Sequence, residues 1–183
     1  MSRIPTHTLA DAPAGSQEHL EQIKKRTGAL MNIHAAMAHS PVVLAAYKAM
    51  SDAIRELGTL DAATREAIAL AVGNENRCDY CQSAHTVSAR AAGFSVDQTV
   101  KIRAARVDFD DKIATVTAVV REAAAHTGAV SEATWDAALA AGWSEDELAE
   151  VFAHLALNQF TNYFNHFAET DLDVPAAPAL AHC

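Results

Sequence analysis

Alanine fills 41 of the 183 positions, about 22% of the chain, and no other feature narrows the fold so far. Alanine is the best helix former and is depleted in strands. Glycine and proline, the usual interrupters, number only 7 and 5. Half of the residues are hydrophobic although only 6% are aromatic, so alanine supplies much of the apolar content. An all-β fold, a collagen-like chain and a disordered one are excluded. The length suits one domain with its own core.

Start and stop signals divide the chain into serial helices. Ser16 opens one that carries Leu20 and Ile23 and ends at Gly28, and a short apolar stretch runs from Leu30 to Ala38. Ser40-Pro41 is a cap followed by proline at the first helical position, and this helix closes at Gly58. Asp61 begins the next, which falters at Gly73-Asn74, and Cys78 begins another that ends at Gly93. Ser95 with Gln98 and Ser144 with Glu147 form capping boxes. Between them, Asp108 or Asp110 starts a helix reaching Gly128, and Ser131 starts one reaching Gly142. Val130 with Trp135, and Trp143 with Leu148, are placed as hydrophobic staples, and the last helix extends to about Glu169. The expectation is an all-α, single-domain helical bundle over residues 16–170, a helical hairpin carrying the cysteine motif. Residues 1–15 and 171–183, with their prolines and no apolar period, read as an N-terminal arm and a C-terminal tail.

Fourteen Lys and Arg against 23 Asp and Glu give a net charge of −9. Without a basic stripe, nucleic acid and anionic membrane are not expected partners. The opening MSRIPTHTLADAPAG lacks the apolar stretch of a signal peptide, and no run approaches the roughly 20 residues of a membrane span. The expected compartment is the cytoplasm.

Chemistry concentrates in NRCDYCQSAH, which holds Cys78, Cys81 and His85. On a helix Cys81 and His85 are i and i+4 and share a face. Cys78, a turn earlier, meets the positive end of the helix dipole, which favours the thiolate. A redox reading makes the two cysteines a reversible pair. A metal reading makes Cys78, Cys81 and His85 three zinc ligands, but the sequence offers no second C-x-x-C or H-x₃-H for a fourth. The bland reading is a pair of small core residues. Gln82 after Cys81 excludes a c-type haem attachment, and the helical TREAIALAVG before the motif is unlike the strand that precedes it in a thioredoxin. Glu66, twelve residues before Cys78, reaches the His85 side if the two helices form a hairpin. Otherwise it is a solvated glutamate beside Arg65.

Glu66, eleven intervening residues, Cys78-Asp-Tyr-Cys81 and then His85 resemble the AhpD-like alkylhydroperoxidases of the carboxymuconolactone decarboxylase family. The resemblance is sharp over residues 61–95 and looser over 30–60 and 143–170, where it points to the peroxidase-related branch. It implies an all-helical homo-oligomer, a trimer or hexamer, that reduces hydroperoxides without a metal or organic cofactor. It also implies Cys81 as the attacking thiol, Cys78 as a more exposed resolving one, and Glu66 with His85 as proton relay. The implied reductant is a dithiol, on a lipoylated or thioredoxin-like protein. Tyr80 departs from the histidine found before the second cysteine in the best-known type; a neutral phenol cannot shuttle a proton near pH 7, but it can donate a hydrogen bond. A non-catalytic zinc-binding helical module and a disulfide-exchange oxidoreductase that does not use peroxide are the alternatives.

On the last helix His154, Asn158, Asn162 and His166 fall at i+4 steps among aromatics. The expectation there is a solvated face, with a subunit seam or a substrate pocket as the other readings. Cys183, beside His182, reads as a tail thiol.

Overall fold

The computed structural model describes residues 2–180. They form nine helices and no strand: α1 (Ala14–Thr27), α2 (Asn32–Met37), α3 (Pro41–Leu57), α4 (Ala62–Glu75), α5 (Asp79–Ala91), α6 (Val96–Arg103), α7 (Asp111–Ala125), α8 (Glu132–Ala140) and α9 (Glu145–Ala168). Most boundaries follow local cap chemistry. The side chains of Asp61, Ser95, Asp110, Ser131 and Ser144 each accept an N–H from the first turn they open. Both capping boxes close. Ser40 holds the N-cap position of α3 without a side-chain cap bond, and Ser16 does not cap at all. It lies inside α1, fully buried, and its hydroxyl donates to the carbonyl of Ala38 at 2.8 Å, so a contact with the end of α2 replaces the cap.

Helix α4 is the centre of the bundle. All seven residues from Ala67 to Gly73 are buried, which requires neighbours on every side. α5, α6, α7 and α9 supply them. Alanines at 67, 69 and 71 keep that helix thin enough to be surrounded. One core joins α4 to α7, α8 and α9 through Ile68, Val72, Val116, Val120 and Val151, with Trp143 and Leu148 in place as the expected staple. A second joins α1, α2 and α3 to the start of α5 through Leu20, Ile23, Met37, Leu44 and Tyr80, and contains both cysteines of the motif.

The terminal segments are not loose. Arg3 N–H donates to Ala168 at 2.7 Å and His7 N–H to Ala35 at 3.1 Å. At the other end, Ala177 N–H donates to Ser83 at 3.0 Å and Arg103 donates to the Pro178 carbonyl at 2.6 Å. Cys183 and His182 lie outside the described residues.

Candidate active site

The α4–α5 connection delivers the cysteines. Arg77 takes a left-handed conformation, φ 54°, which turns the chain within three residues. Cys78 N–H then donates to the Gly73 carbonyl at 2.8 Å. A Cβ on Gly73 would touch that of Cys81 at 3.5 Å, so the helices cross with little more than a glycine between them. Cys78 occupies the N-cap of α5, and its sulfur accepts the Cys81 N–H at 3.3 Å. The two Sγ atoms stand 2.7 Å apart as free thiols. Asn165 of α9 reaches over them, its Nδ2 donating to Cys81 at 3.2 Å and to Cys78 at 3.9 Å.

The two sulfurs differ electrically. The Cys81 S–H hydrogen bond draws the Cys78 pKa down to about 7 against the opposing effect of burial. The Cys81 backbone N–H, the charge of His166 and Asn165 add to the lowering. Cys81 moves the other way, because it donates to Cys78, is buried, and faces the charge that forms there. The resting negative charge therefore belongs on Cys78, the helix-end sulfur. Cys78 is not the more exposed of the two, as the resemblance implies: Cys78 is 1% and Cys81 2% accessible. Leu20, Met37 and Phe164 belong to the same cluster and shield both.

Glu66 and His85 meet as the hairpin geometry predicts. His85 Nδ1 lies 2.8 Å from Glu66 Oε2. Burial works against the imidazolium, but the Glu66 carboxylate, by charge and hydrogen bond, outweighs it and raises His85 above its ordinary value. Tyr80 stands apart from that pair. Its hydroxyl donates to Asp173 at 2.7 Å and accepts from Ile33 N–H at 3.3 Å, while burial and the Asp173 contact keep the phenol protonated. The other oxygen of Asp173 accepts Asn32 N–H at 2.7 Å, at the start of α2.

Two cavities flank the sulfurs. One, about 240 Å³ and mostly apolar, is lined by Cys81, His85, His34, Ala84 and Val174. The other, about 200 Å³ and more polar, is lined by Cys78, Arg77, Asp79, His166 and Glu169. Tyr80 and Asn165 line both and so form the partition between them. Among the described residues no group of three or more His, Cys, Asp or Glu side chains is arranged to hold a metal ion.

The α9 stripe is exposed only at His166. His154, Asn158 and Asn162 are buried. Asn162 accepts from Asn76 at 2.9 Å and His166 contacts the Asn76 carbonyl at 2.8 Å, so both secure the turn that precedes Cys78. Asn165, the residue that touches the sulfurs, lies off the i+4 row. It is reachable from Asn162 as its i+3 neighbour, a signal equally present in the sequence.

Residues 41–125, from α3 to the end of α7, match the carboxymuconolactone decarboxylase family. The matched segment is 85 of the 183 residues. It carries Glu66, Cys78, Cys81 and His85, whereas Asn165 lies beyond it. An uncharacterized protein of Haemophilus influenzae is 43% identical over 73 residues, which cover 40% of this chain and 59% of that protein. The chain thus spans about three fifths of that curated relative. Among solved structures, the fold resembles the alkylhydroperoxidase AhpD core of a peroxidase-related protein from Ralstonia eutropha JMP134, with a TM-score of 0.83, 21% identity, and 94% and 92% of the two chains covered. A peroxidase-related protein from Silicibacter sp. TM1040 gives 0.77 at 19% identity, covering 93% and 91%. The debrominase Bmp8, solved with a tribromopyrrole, gives 0.78 at 16%, covering 93% and 91%. The matched segment thus sits in an AhpD-like, all-helical, single-domain fold. No helix among the described residues is long and apolar enough to cross a membrane.

Proposed function

We propose that the protein is a thiol-dependent hydroperoxide reductase working through Cys78 and Cys81. The observation that carries this is the sulfur pair in 2.7 Å contact, with an apolar cavity lined by Cys81 and by His85, which Glu66 holds at 2.8 Å. In the resting pair Cys78 is the thiolate and Cys81 the thiol. Hydroperoxide enters the Cys81 cavity. The Cys81 proton crosses to Cys78, and Asn165 Nδ2 holds the thiolate left on Cys81. That sulfur attacks the terminal peroxide oxygen, the O–O bond breaks, and the departing alkoxide takes a proton from His85, which Glu66 orients. The products are a sulfenic acid on Cys81 and an alcohol. The Cys78 thiol condenses with the sulfenic acid, forming the disulfide and releasing water. An external dithiol, on a lipoylated or thioredoxin-like protein, then reduces the disulfide by exchange. Tyr80 acts in this reading as a wall and a clasp rather than as a proton carrier.

Hydroperoxide consumption with a panel of dithiol donors tests the reading. Turnover lost in both Cys78→Ser and Cys81→Ser is expected, with a dimedone-type probe labelling Cys81 in the Cys78→Ser variant. Disulfide exchange at full rate with no peroxide consumed would sink it in favour of an exchange enzyme. Stoichiometric zinc with no loss of thiols on peroxide treatment would favour the zinc module. We also propose a homo-oligomer: Phe152, Tyr163 and Phe167 of α9 are 64%, 58% and 67% accessible in a single copy. A sedimentation mass near 19.5 kDa defeats that proposal.

A further inference from the structure

A third cavity, of about 290 Å³, is lined by both His85 and Glu66 and by neither cysteine. Its charge is opposite to that of the molecule. Three arginines line it, Arg26 from α1, Arg55 from α3 and Arg65 from α4, in a chain whose net charge is −9. The carboxylates nearby are already engaged. Asp52 is shared by Arg26 at 3.0 Å, Arg55 at 3.5 Å and Lys48. Glu56 pairs with Arg55 at 3.0 Å, Glu66 with His85 at 2.8 Å and Glu150 with His154 at 3.4 Å. Arg65 is half-buried and has no carboxylate partner among the described residues. Of the groups lining the space, three guanidiniums and two imidazoles, His85 and His154, accompany one carboxylate, Glu66. A cationic recess with an unmatched, partly desolvated guanidinium favours an anion that can accept its paired N–H groups.

This recess adjoins the reactive side. Tyr47, His85 and Thr161 line both it and the apolar Cys81 cavity. A molecule spanning the two meets guanidinium at one end, Tyr47 and Thr161 in the middle, and Cys81 with His85 at the other.

We infer that the two adjoining cavities together form a binding site for a carboxylate-bearing substrate, its carboxylate on Arg65 and its carbon chain running past Tyr47 towards Cys81. This rests on the hydroperoxide reading for the reacting group and makes the preferred substrate an acidic organic hydroperoxide. The bond changes are those already given: the O–O bond breaks, Cys81 is oxidised, the hydroxy acid leaves, and the external dithiol restores the pair. The carboxylate takes no part in electron transfer and fixes the distance and direction of approach.

The test uses hexanoate and methyl hexanoate as redox-silent probes, and hydroperoxyhexanoate and its methyl ester as reactants, all with the reduced full-length chain. Calorimetry should show hexanoate binding at least tenfold tighter than its ester. Arg65→Ala should weaken hexanoate by about 10–100-fold, the range for a charged hydrogen-bonding group. Arg65→Lys should recover part of that loss. The acid-to-ester ratio of kcat/KM should collapse towards one in Arg65→Ala, a readout that a general loss of fold or rate does not move. Equal binding of acid and ester, or hexanoate affinity unchanged by Arg65→Ala, overturns the inference. Arg65-dependent hexanoate binding in a protein that consumes neither hydroperoxide supports the carboxylate site and overturns the peroxidase reading instead.

Discussion

Replacing Cys81 by alanine should move Cys78 back towards an ordinary thiol. The Cys81 S–H, 2.7 Å away, is the largest cause of the low Cys78 value. A pKa of about 7 instead of 9.0 leaves Cys78 about half ionised at pH 7, where an unperturbed thiol would be ionised on the order of one part in a hundred. That difference corresponds to roughly 3 kcal/mol in favour of the thiolate. Cys81→Ala removes the S–H but leaves the residue-81 N–H, Asn165 and the charge of His166. The midpoint should therefore rise by about one unit or more without reaching the unperturbed value. The assay is the pH dependence of Cys78 alkylation by iodoacetamide, with the modified peptide identified by mass spectrometry. Reactivity of a depressed thiol appears as pH rises through its folded pKa, so the parent should be half-maximal near pH 7 and the variant well above it. At pH 7 the variant should react on the order of tenfold more slowly. A variant that still titrates near 7 would refute the assignment and leave the helix end and His166 as the cause. A parent that titrates near 9 would refute the resting thiolate altogether.

Glu66→Gln should slow the peroxide step by about 10²–10⁴-fold, the usual range for acid–base help. Because Glu66 raises His85, and a raised imidazole is charged only below its folded pKa, the variant should lose rate at a lower pH than the parent; an unshifted pH profile removes Glu66 from the relay. Tyr80→Phe should destabilise the fold by about 1–3 kcal/mol by leaving Asp173 short of a donor. A double-mutant cycle in urea with Asp173→Asn should be strongly non-additive, and additivity would deny the clasp. Burial alone would raise Glu150, but hydrogen bonds from Thr59, its backbone and hydroxyl, and from the Leu60 N–H hold it at about 2 instead of 4.5. Such a depressed carboxylate contributes roughly 3 kcal/mol at neutral pH, present above 4.5 and lost as pH falls towards 2. The stability gap between parent and Glu150→Gln, read from urea midpoints, should shrink across that window, and a constant gap would sink the argument.

Helix ends were legible because their causes are local. Asp61, Ser95, Ser131 and Ser144 find partners three residues ahead, and no distant part of the chain is needed. Ser16 looks the same in sequence, but the bond that claims it comes from Ala38, 22 residues away. The terminal segments carry no apolar period, yet Tyr80 to Asp173 spans 93 positions and Arg3 to Ala168 spans 165, and no periodicity records such pairings. At the site, Glu66 with His85 could be anticipated because a hairpin of two adjacent helices is the simplest packing. Asn165 could not be singled out, because α9 meets α3, α4, α5 and α7 in turn, and a single i+4 row describes only one of those faces. The arginine-lined recess draws one residue from each of three helices, so no stretch of sequence displays it.

The partition made by Tyr80 and Asn165 gives the sulfur pair two approaches, one on each side. A peroxide and a reductant that use different approaches do not compete for the same doorway. In the proposed cycle, initial rates should give parallel reciprocal plots, and high peroxide should not block the reductant's entry. In that proposed cycle the polar mouth beside Cys78, edged by Arg77, Asp79 and Glu169, would select the electron donor, and the apolar side would select what is reduced. Specificity for the two half-reactions can be altered separately, because the residues that set one are walled off from those that set the other.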